Sequence, residues 1–233
     1  MSASPIHGIL QDASMVDYPG RLAAVFFLGG CNFRCGFCHN ASLLAGKEEG
    51  LPWKEVEAIA RRFRRNWVDA AVVTGGEPTC SRHVFHTVEK LREWGFRIKL
   101  DTNGSRPDVL KRLLPLVEGV AMDVKFAPAN YPAHTGFSDL AALTESIRLI
   151  REQAAVYEFR TTVVEAWHGP EEMRAIGEWV KGARRHVLQA FVPRSDLPDP
   201  TCSALAQTSG THLHAMADVL RPYVEQVEIR GEF

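Results

Sequence analysis

Three cysteines lie close together near the start of the chain, at Cys31, Cys35 and Cys38. They follow an apolar run from Leu22 to Leu28 that has the composition of a buried strand. Cysteine thiolates hold iron–sulfur clusters, and a 4Fe–4S cluster takes four such ligands. Three cysteines leave one iron without a protein ligand, and an open position is typical of metal centres that act on a bound molecule. The spacing therefore predicts a catalytic 4Fe–4S cluster.

Two other interpretations of these cysteines stay open at this point. A zinc ion could be bound with His39 or a distant residue as the fourth ligand, or the thiols could be buried and inert. The spacing differs from the paired C-x2-C of zinc ribbons and from ferredoxin runs, which favours the cluster. No cysteine lies between Cys38 and Cys80, and Cys80 and Cys202 are isolated in sequence, so one cluster is expected.

A glycine-rich motif, Gly75-Gly76-Glu77-Pro78, follows a second apolar run. Glycine has no Cβ, so two glycines in succession permit the backbone to approach a ligand closely. Glycine pairs after strands are also common as simple turns. The motif is therefore a weak signal alone and a strong one beside the cysteines.

A third motif, Asp101-Thr102-Asn103-Gly104, ends a third apolar run. It offers a carboxylate, a hydroxyl and an amide within one turn, which suits contacts with a ribose, a carboxylate or a cation. The alternative is an Asx-type turn that caps the next helix together with Ser105.

Charged residues mark the next two strand-like segments. Asp123 and Lys125 stand at alternate positions and therefore share one face of a strand. Arg160 lies in a segment that is otherwise apolar around Phe159 and Val163. Arginine is rarely buried without a partner, so Arg160 is expected to bind a ligand or an acidic residue. A structural salt bridge is the alternative for all three charges.

Short apolar runs alternate with amphipathic segments along the whole chain. The predicted strands are Ala23–Leu28, Ala70–Thr74, Arg97–Asp101, Val120–Val124, Glu158–Val164, Val187–Val192 and Val224–Ile229. The predicted helices carry apolar residues three and four apart, at Val56, Ile59, Phe63 and Trp67, at Val84, Val88 and Leu91, at Leu140, Leu143, Ile147 and Ile150, and at Leu213, Met216 and Leu220. This alternation predicts an α/β fold, an open partial (β/α)6 barrel with parallel strands.

The motifs occupy equivalent positions in this predicted barrel. The active site of a parallel α/β barrel lies at the C-terminal ends of its strands. The cysteine loop, the two glycine-containing motifs and the Asp123–Lys125 pair follow or end four successive predicted strands. We therefore expect them to meet on one rim, facing the cluster.

The segment from Cys31 to Asn40, with Phe37 before the last cysteine, resembles the cluster loop of the radical S-adenosylmethionine (SAM) enzymes. The lead-in from Asp17 to Val25 is similar to that of their glycyl-radical-enzyme activases. The resemblance is closest to the longer form of the activases of anaerobic ribonucleoside-triphosphate reductase. It is strongest from Met15 to Lys125.

The resemblance also implies an organisation of the chain. The implied fold is the same partial (β/α)6 barrel, of the radical SAM type. Residues 1–233 are expected to form a single radical SAM domain, with the cluster loop at 31–38, a SAM-binding half at about 22–125 and a variable C-terminal part at about 165–233.

Carried over residue by residue, the resemblance implies that Cys31, Cys35 and Cys38 bind one 4Fe–4S cluster whose open iron takes SAM. The residues implied to bind SAM are Phe37 and His39 near the adenine, Asn40 beside them in sequence, Gly75, Gly76 and Glu77 near the methionine amino group, and Asp101, Thr102, Asn103, Asp123, Lys125 and Arg160 around the remainder. A monovalent cation sits beside SAM in the related pyruvate formate-lyase activase. Asp101, Thr102 and Asp123 match its side-chain ligands, so this cation is expected here too.

The activity implied by the resemblance is radical formation on a partner protein. A flavodoxin- or ferredoxin-type donor reduces the cluster, and SAM is cleaved to methionine and a 5′-deoxyadenosyl radical. That radical removes a hydrogen atom from a glycine Cα of a large glycyl-radical enzyme, most simply the anaerobic ribonucleotide reductase. Such chemistry requires neither a general acid–base pair nor a nucleophile triad, and the sequence displays neither.

Three alternative functions remain. The partner could be a different glycyl-radical enzyme, of the pyruvate formate-lyase type. The chain could instead act on a small molecule, as a deazapurine-forming enzyme does, with Gln189, Arg194 and Asp196 as the candidates for substrate binding. A one-cluster electron carrier is the non-enzyme alternative, but it would not need the glycine-rich and Asp101–Gly104 motifs.

Composition narrows the class of protein further. The chain has 233 residues, 45% of them hydrophobic, which suffices for a substantial core. A net charge of −1 argues against nucleic-acid or membrane-surface partners. No signal peptide is evident, and no apolar run approaches the roughly 20 residues of a membrane span. Five cysteines, three of them clustered, do not resemble a disulfide framework, so a reducing cytoplasm is expected.

Overall fold

The computed structural model describes residues 3–45 and 50–231. Within these ranges the chain forms an eight-stranded sheet whose spatial order follows the sequence. The strands are β1 (Ile6–Ile9), β2 (Ala23–Leu28), β3 (Ala70–Gly75), β4 (Arg97–Thr102), β5 (Gly119–Asp123), β6 (Val156–Val163), β7 (His186–Ala190) and β8 (Val227–Arg230).

Strands β2 to β8 run parallel to one another, and β1 pairs with β2 in the antiparallel direction. The residues at the centres of β2 to β5 are almost all buried, because helices cover the outer face of a parallel sheet. In the described part of the chain β1 and β8 are not paired with each other, so the curved sheet stays open. The predicted α/β fold, a partial barrel of parallel strands, is confirmed.

Helices connect the parallel strands. They are α1 (Trp53–Arg65), α2 (Val84–Glu93), α3 (Pro107–Leu113), α4 (Tyr131–Thr135), α5 (Leu140–Gln153), α6 (Pro170–Trp179), α7 (Pro200–Ser203) and α8 (Gly210–Leu220). Helices α1, α2, α5 and α8 are the four that apolar spacing predicts. Helices α3, α4, α6 and α7 were not predicted, although α3, α6 and α7 each begin with a proline, a residue favoured at the first position of a helix.

The seven predicted strands are all present. The largest difference is in the last one, which begins at Val227 rather than Val224. Strand β1 was missed because Ile6-His7-Gly8-Ile9 is too short and too mixed to give a period. It pairs with the outer edge of β2 and so protects that edge.

The prediction that Trp67 continues the buried face of the first helix was wrong. Helix α1 ends at Arg65, and Trp67 has a positive φ of 63° that breaks the helical path. Its side chain is 92% exposed. The apolar spacing therefore extends two residues beyond the end of the helix.

The inside of the barrel has an apolar half and a charged half. Val25 and Val72 lie side by side on β2 and β3 and form a small buried cluster with Tyr18. On the opposite side, inner residues of β4, β6 and β8 form a chain of ion pairs: Lys99, Asp101, Glu158, Arg160 and Arg230. The polar rim residues described below rest on this charged half.

No helix in the described ranges is both long enough and apolar enough to span a bilayer.

Candidate functional site

A cavity of about 190 Å³ opens at the C-terminal ends of the parallel strands. Every residue that the sequence analysis assigned to the cluster or to SAM lines this cavity. Four further lining residues were not predicted: Phe33, Leu44, Thr74 and Thr162. Thr74 and Thr162 lie on predicted strands, and their positions on the inner face could have been found from the alternation along β3 and β6.

The cysteine loop is held by its own backbone and by aromatic packing. The Arg34 N–H donates to the Thr135 carbonyl at 2.7 Å, and the Arg34 guanidinium donates to the carbonyl of Cys31 at 2.7 Å. Phe33 is fully buried, with ring centroids 4.9 Å from Phe137 and 6.0 Å from Tyr131. These contacts anchor the loop from outside and leave the three thiols facing the cavity.

A second aromatic cluster closes the other side of the loop. Phe37 is 6% exposed and packs against Phe126 and Trp167, with centroid distances of 5.9 and 5.8 Å. His134 stacks on Phe126 at 4.0 Å. Phe37 therefore covers the cysteines and borders the cavity at the same time.

Burial changes the pKa of Cys31 and of Cys35. It raises the pKa of Cys35 to about 12, and it also raises the pKa of Cys31, which a hydrogen bond from the Phe33 N–H partly offsets. The positive charge of Lys125 acts in the opposite direction on both thiols. These thiols are therefore protonated in the free protein, and binding as thiolates requires further positive charge such as metal ions.

His39 and Asn40 are both committed to protein contacts. The His39 ring contacts the Val192 carbonyl through Nε2 at 2.9 Å and stacks on Phe191. The Asn40 amide donates to the Gly75 carbonyl at 2.9 Å, which joins the cysteine loop to the glycine-rich loop. Because Nε2 of His39 faces this carbonyl, Nδ1 is the ring nitrogen that would be left to bind a metal ion.

Gly75 and Gly76 lie where two segments of the backbone come too close together for a Cβ atom. Gly75 has φ of 130°, and a Cβ there would overlap the backbone of Leu28. A Cβ on Gly76 would overlap the carbonyl oxygen of Gly30. The Gly76 N–H donates to the Leu28 carbonyl at 2.9 Å, and the Glu77 N–H donates to the Gly30 carbonyl at 2.7 Å. The sequence analysis expected a close approach to a ligand, whereas the nearest backbone here is the protein's own.

Glu77 is buried and accepts hydrogen bonds from two loops. Thr79 donates through its N–H at 3.0 Å and its hydroxyl at 2.6 Å, and Thr102 donates its hydroxyl at 2.7 Å. The Asn103 N–H donates to the second carboxylate oxygen at 2.5 Å. Burial raises the pKa of Glu77, and these donors counteract that rise. Its carboxylate fixes the relative position of the two loops.

Asn103 forms the turn that was predicted from the sequence, and it also contacts the cysteine loop. Its side-chain oxygen accepts from the Ser105 N–H at 2.9 Å, which is the expected Asx-type turn. Its amide nitrogen donates to the Asn32 side chain at 3.1 Å and approaches the Cys31 sulfur at 3.8 Å. The turn thus presents an N–H donor to a cysteine of the site.

Two aspartates on the rim are surrounded by positive side chains. Asp101 contacts Lys99 at 2.5 Å and Arg160 at 2.9 Å. Asp123 contacts Arg160 at 2.9 Å and Lys125 at 3.0 Å. Burial alone would raise the pKa of Asp123, but Lys125 and Arg160 hold it well below its usual range. Burial alone would lower the pKa of Lys125 and Arg160, and the carboxylates reverse that effect.

The proposed small-molecule residues are not gathered at the cavity. Arg194 and Asp196 pair with each other at 2.7 Å, and both are largely exposed. Gln189 lies on β7 in register with Thr162 of β6, so it belongs to the inner face. Among these three residues only Gln189 is placed to face the interior.

A sequence model of the radical SAM superfamily matches residues 25–172. This match spans the cysteine loop, both glycine-containing motifs and all the charged residues of the cavity. The chain belongs to the radical SAM superfamily. Members of this superfamily use a 4Fe–4S cluster together with SAM, and the radical SAM assignment accounts for the three-cysteine loop.

Two of the proteins to which the chain is similar are described as different enzymes. The chain is 31% identical over 233 aligned residues to a protein of Methanocaldococcus jannaschii described as "Putative glycyl-radical enzyme activating enzyme", covering 97% of this chain and 95% of that protein. It is 32% identical over 157 residues to a 7-carboxy-7-deazaguanine synthase of Hyperthermus butylicus, covering 59% of this chain and 65% of the other.

The radical SAM fold is also seen in solved structures. The chain superimposes on Streptococcus suis SuiB bound to its precursor peptide SuiA with a TM-score of 0.64. The match covers 89% of this chain and 48% of SuiB, at 14% identity. This likeness supports the fold alone.

The cavity fits the two groups that the radical SAM superfamily uses. Its donor set near the cysteines is sulfur, and both the Phe33 N–H, at 3.4 Å, and the Asn103 amide point at the Cys31 sulfur. Hydrogen bonds to cluster sulfurs are a known means of tuning iron–sulfur centres. Beside the thiols, backbone groups of the glycine-rich loop and paired charges offer the polar contacts that an amino acid requires.

Proposed function

We propose that this protein is a glycyl-radical-enzyme activase, formed by residues 1–233 as a single radical SAM domain. The observation that carries the proposal is the similarity to the Methanocaldococcus jannaschii activating enzyme, which extends over 97% of this chain and 95% of that protein. The similarity to that protein extends over nearly the whole chain, whereas the alignment with the deazaguanine synthase covers 59% of it.

In this proposal Cys31, Cys35 and Cys38 hold one 4Fe–4S cluster. When bound, the cluster and SAM supply reductive cleavage of SAM to methionine and a 5′-deoxyadenosyl radical, which removes a hydrogen atom from the substrate. The protein's own contribution is to bind, orient and shield these groups. The aromatic cluster of Phe37, Phe126 and Trp167 excludes water from one side of the cavity.

The remaining cavity residues are assigned to SAM. The backbone of the cavity-lining residues Gly75, Gly76 and Glu77 is assigned to the amino group of SAM. The side chain of Glu77 instead holds this loop against the loop that follows β4. Asp101, Thr102, Asn103, Asp123, Lys125 and Arg160 supply polar contacts for the rest of SAM, and Phe37, His39 and Asn40 border the adenine.

The partner we propose is the large subunit of an anaerobic ribonucleotide reductase. The resemblance of the lead-in from Asp17 to Val25 supports this choice over a pyruvate formate-lyase type of enzyme. A flavodoxin or ferredoxin as electron donor and a cytoplasmic location stay predictions from the sequence. The monovalent cation also stays a prediction, and the contacts of Asp101 and Asp123 do not favour it.

A small-molecule substrate is the second candidate, favoured by the similarity to a deazaguanine synthase. An anionic substrate bound in addition to SAM would require a positive side chain that neither SAM nor a carboxylate already uses. The cations on the inner face of the described barrel, Lys99, Lys125, Arg160 and Arg230, are each paired with a carboxylate. A neutral substrate segment, such as a peptide loop, fits this interior better.

Electron paramagnetic resonance tests the proposal. The reconstituted protein, SAM and a reductant are mixed without oxygen with the anaerobic ribonucleotide reductase large subunit of the same organism. A glycyl doublet that requires both this protein and SAM is expected. No doublet, from a reductase that another activase does activate, would exclude this partner and shift the assignment to another glycyl-radical enzyme or to a small molecule.

A further inference from the structure

All four carboxylate oxygens of two rim aspartates already contact positive side chains. Asp101 Oδ1 contacts Lys99 Nζ at 2.5 Å, and Asp101 Oδ2 contacts Arg160 Nη1 at 2.9 Å. Asp123 Oδ1 contacts Arg160 Nε at 3.0 Å, and Asp123 Oδ2 contacts Lys125 Nζ at 3.0 Å. These are the aspartates that a bound monovalent cation would need as ligands.

Arg160 bridges the two aspartates. It lies on β6 directly beside Asp123 of β5, and its side chain is 12% exposed. One end of the guanidinium binds Asp101, while Nε and Nη2 both bind Asp123. The planar fork of arginine suits such two-sided contact with carboxylates, and its charge persists at all physiological pH values.

The third predicted cation ligand is also occupied. The Thr102 hydroxyl donates to Glu77 at 2.7 Å and accepts from the Gly104 N–H at 3.1 Å. A cation bound by Asp101, Thr102 and Asp123 would therefore displace existing hydrogen bonds. It would also lie next to the Arg160 guanidinium, and two positive charges at such short range repel each other.

The surrounding charges hold Arg160 and Asp101 in place. Lys99 is buried and also approaches Glu158, at 4.0 Å. Glu158 is in turn bound by Arg230 at 2.9 and 2.7 Å through two parallel contacts. The pairing around Arg160 is thus part of a continuous network from β4 to β8, rather than an isolated surface contact.

We propose that the Arg160 guanidinium takes the place of a bound monovalent cation in this protein. It neutralises Asp101 and Asp123 beside the SAM cavity, so SAM binding is independent of K⁺ and Na⁺ in the medium. Arg160 lines the SAM cavity itself, and in this proposal its further role is to fix the position of the two aspartates that border SAM. The inference rests on the proposed use of SAM at this site.

Calorimetric titration of SAM into the reconstituted protein tests this inference. The titration is done at constant ionic strength in KCl, in NaCl and in tetramethylammonium chloride, whose cation is too large for such a site. For the native protein we expect the same Kd in all three salts, within about twofold, because the site carries its own charge. A Kd that weakens at least about tenfold when K⁺ and Na⁺ are absent would overturn the inference.

Variants make the test specific. Arg160→Ala should bind SAM at least about tenfold more weakly in tetramethylammonium chloride and should recover part of this affinity in KCl or NaCl. Arg160→Lys, which retains a positive charge, should show no dependence on the salt. Arg148→Ala is the matched control, because Arg148 also pairs with two carboxylates but lies on the exposed face of α5. Equal affinity of Arg160→Ala in all three salts would contradict the inference.

Thermal unfolding of the cluster-free protein gives a readout that does not depend on SAM. The Tm of Arg160→Ala should rise with KCl relative to tetramethylammonium chloride, whereas that of the native protein should not. A native protein stabilised specifically by K⁺ would overturn the inference. If the native protein, reconstituted with its cluster, does not bind SAM in any salt, that result would refute the proposed function together with this inference.

Discussion

The Asn103 backbone N–H donates to a carboxylate oxygen of Glu77 at 2.5 Å, which ties the loop after β4 to the loop after β3. Glu77 also accepts from Thr102 of β4 and from Thr79 of its own loop. The same glycine-rich loop is joined to the cysteine loop by the Asn40 amide. Three of the loops that line the cavity are thus connected by hydrogen bonds before any ligand is present.

Replacement of Glu77 by alanine should destabilise the cluster-free protein. The change leaves the Thr102 hydroxyl and the Asn103 and Thr79 N–H groups without an acceptor, and each unsatisfied buried donor is costly. We expect the free energy of unfolding in urea to fall by about 3 kcal/mol. Glu89→Ala, on the exposed face of α2, is the control. A loss for Glu77→Ala no larger than that of the control would show that the loops hold without this carboxylate.

Cys35→Ala should lose the cluster. Cys35 is one of three thiols lining the cavity, and two cysteines cannot hold a 4Fe–4S cluster stably. Iron and sulfide content should fall sharply, and 5′-deoxyadenosine formation should be abolished. Cys202→Ala, which removes a buried thiol outside this loop, should keep both. Native rates of 5′-deoxyadenosine formation in Cys35→Ala would refute the assignment of the cysteine loop.

Lys125→Met should weaken SAM binding and leave the iron content unchanged. Lys125 lines the cavity and neutralises Asp123 at 3.0 Å, so its loss exposes SAM to extra negative charge. We expect Kd for SAM to rise about tenfold, the effect of losing one charge-assisted contact. Lys111→Met, on the exposed side of α3, should have no effect. Loss of iron from Lys125→Met would indicate a structural role instead.

Stability should fall in mildly acidic solution because of a buried histidine. Burial lowers the pKa of His186 to about 3, and its Nε2 contacts the Thr161 hydroxyl at 2.9 Å. Below about pH 6.5 the unfolded chain gains a proton that the folded chain does not, which costs up to about 1.4 kcal/mol per pH unit. Titration of His186 therefore does not reduce the free energy of unfolding above pH 6.5, and it reduces that free energy progressively as the pH falls below 6.5.

Replacement of this histidine by a group that does not titrate tests that effect. His186→Leu should be less stable than the native protein at pH 7.5, and this deficit should shrink by about 1 kcal/mol by pH 5.5. Urea unfolding at several pH values measures the difference. Val187→Ala, at the next position of β7 and without a titratable side chain, is the control, and its deficit should not vary with pH. A constant deficit for His186→Leu would contradict the account.

Much of the fold could be predicted because parallel strands are continuous apolar runs. Val72 and Val73 of β3 are buried on both faces of the sheet, and such runs stand out in the sequence. Strand β1 could not be found this way, since it is four residues long and stabilised mainly by its pairing with β2. Trp67 was misassigned because periodicity does not detect the positive φ that ends the helix.

Most of the residues that line the cavity could also be predicted, whereas the hydrogen bonds and ion pairs between them could not. Residues at the ends of parallel strands must meet, so their convergence follows from the topology. Which acceptor each donor uses depends on distances between segments far apart in sequence. The bond from Asn40 to Gly75 spans 35 positions, and that from Arg160 to Asp101 spans 59. These partners become visible only in the folded chain.

The most direct test of the central claim follows the hydrogen atom. The anaerobic ribonucleotide reductase large subunit is produced with glycine deuterated at Cα and incubated with this protein, SAM and a reductant. We predict that deuterium appears in 5′-deoxyadenosine, as a mass increase of one unit measured by mass spectrometry. Undeuterated 5′-deoxyadenosine alone, formed at a rate that does not respond to the reductase, would contradict the activase account.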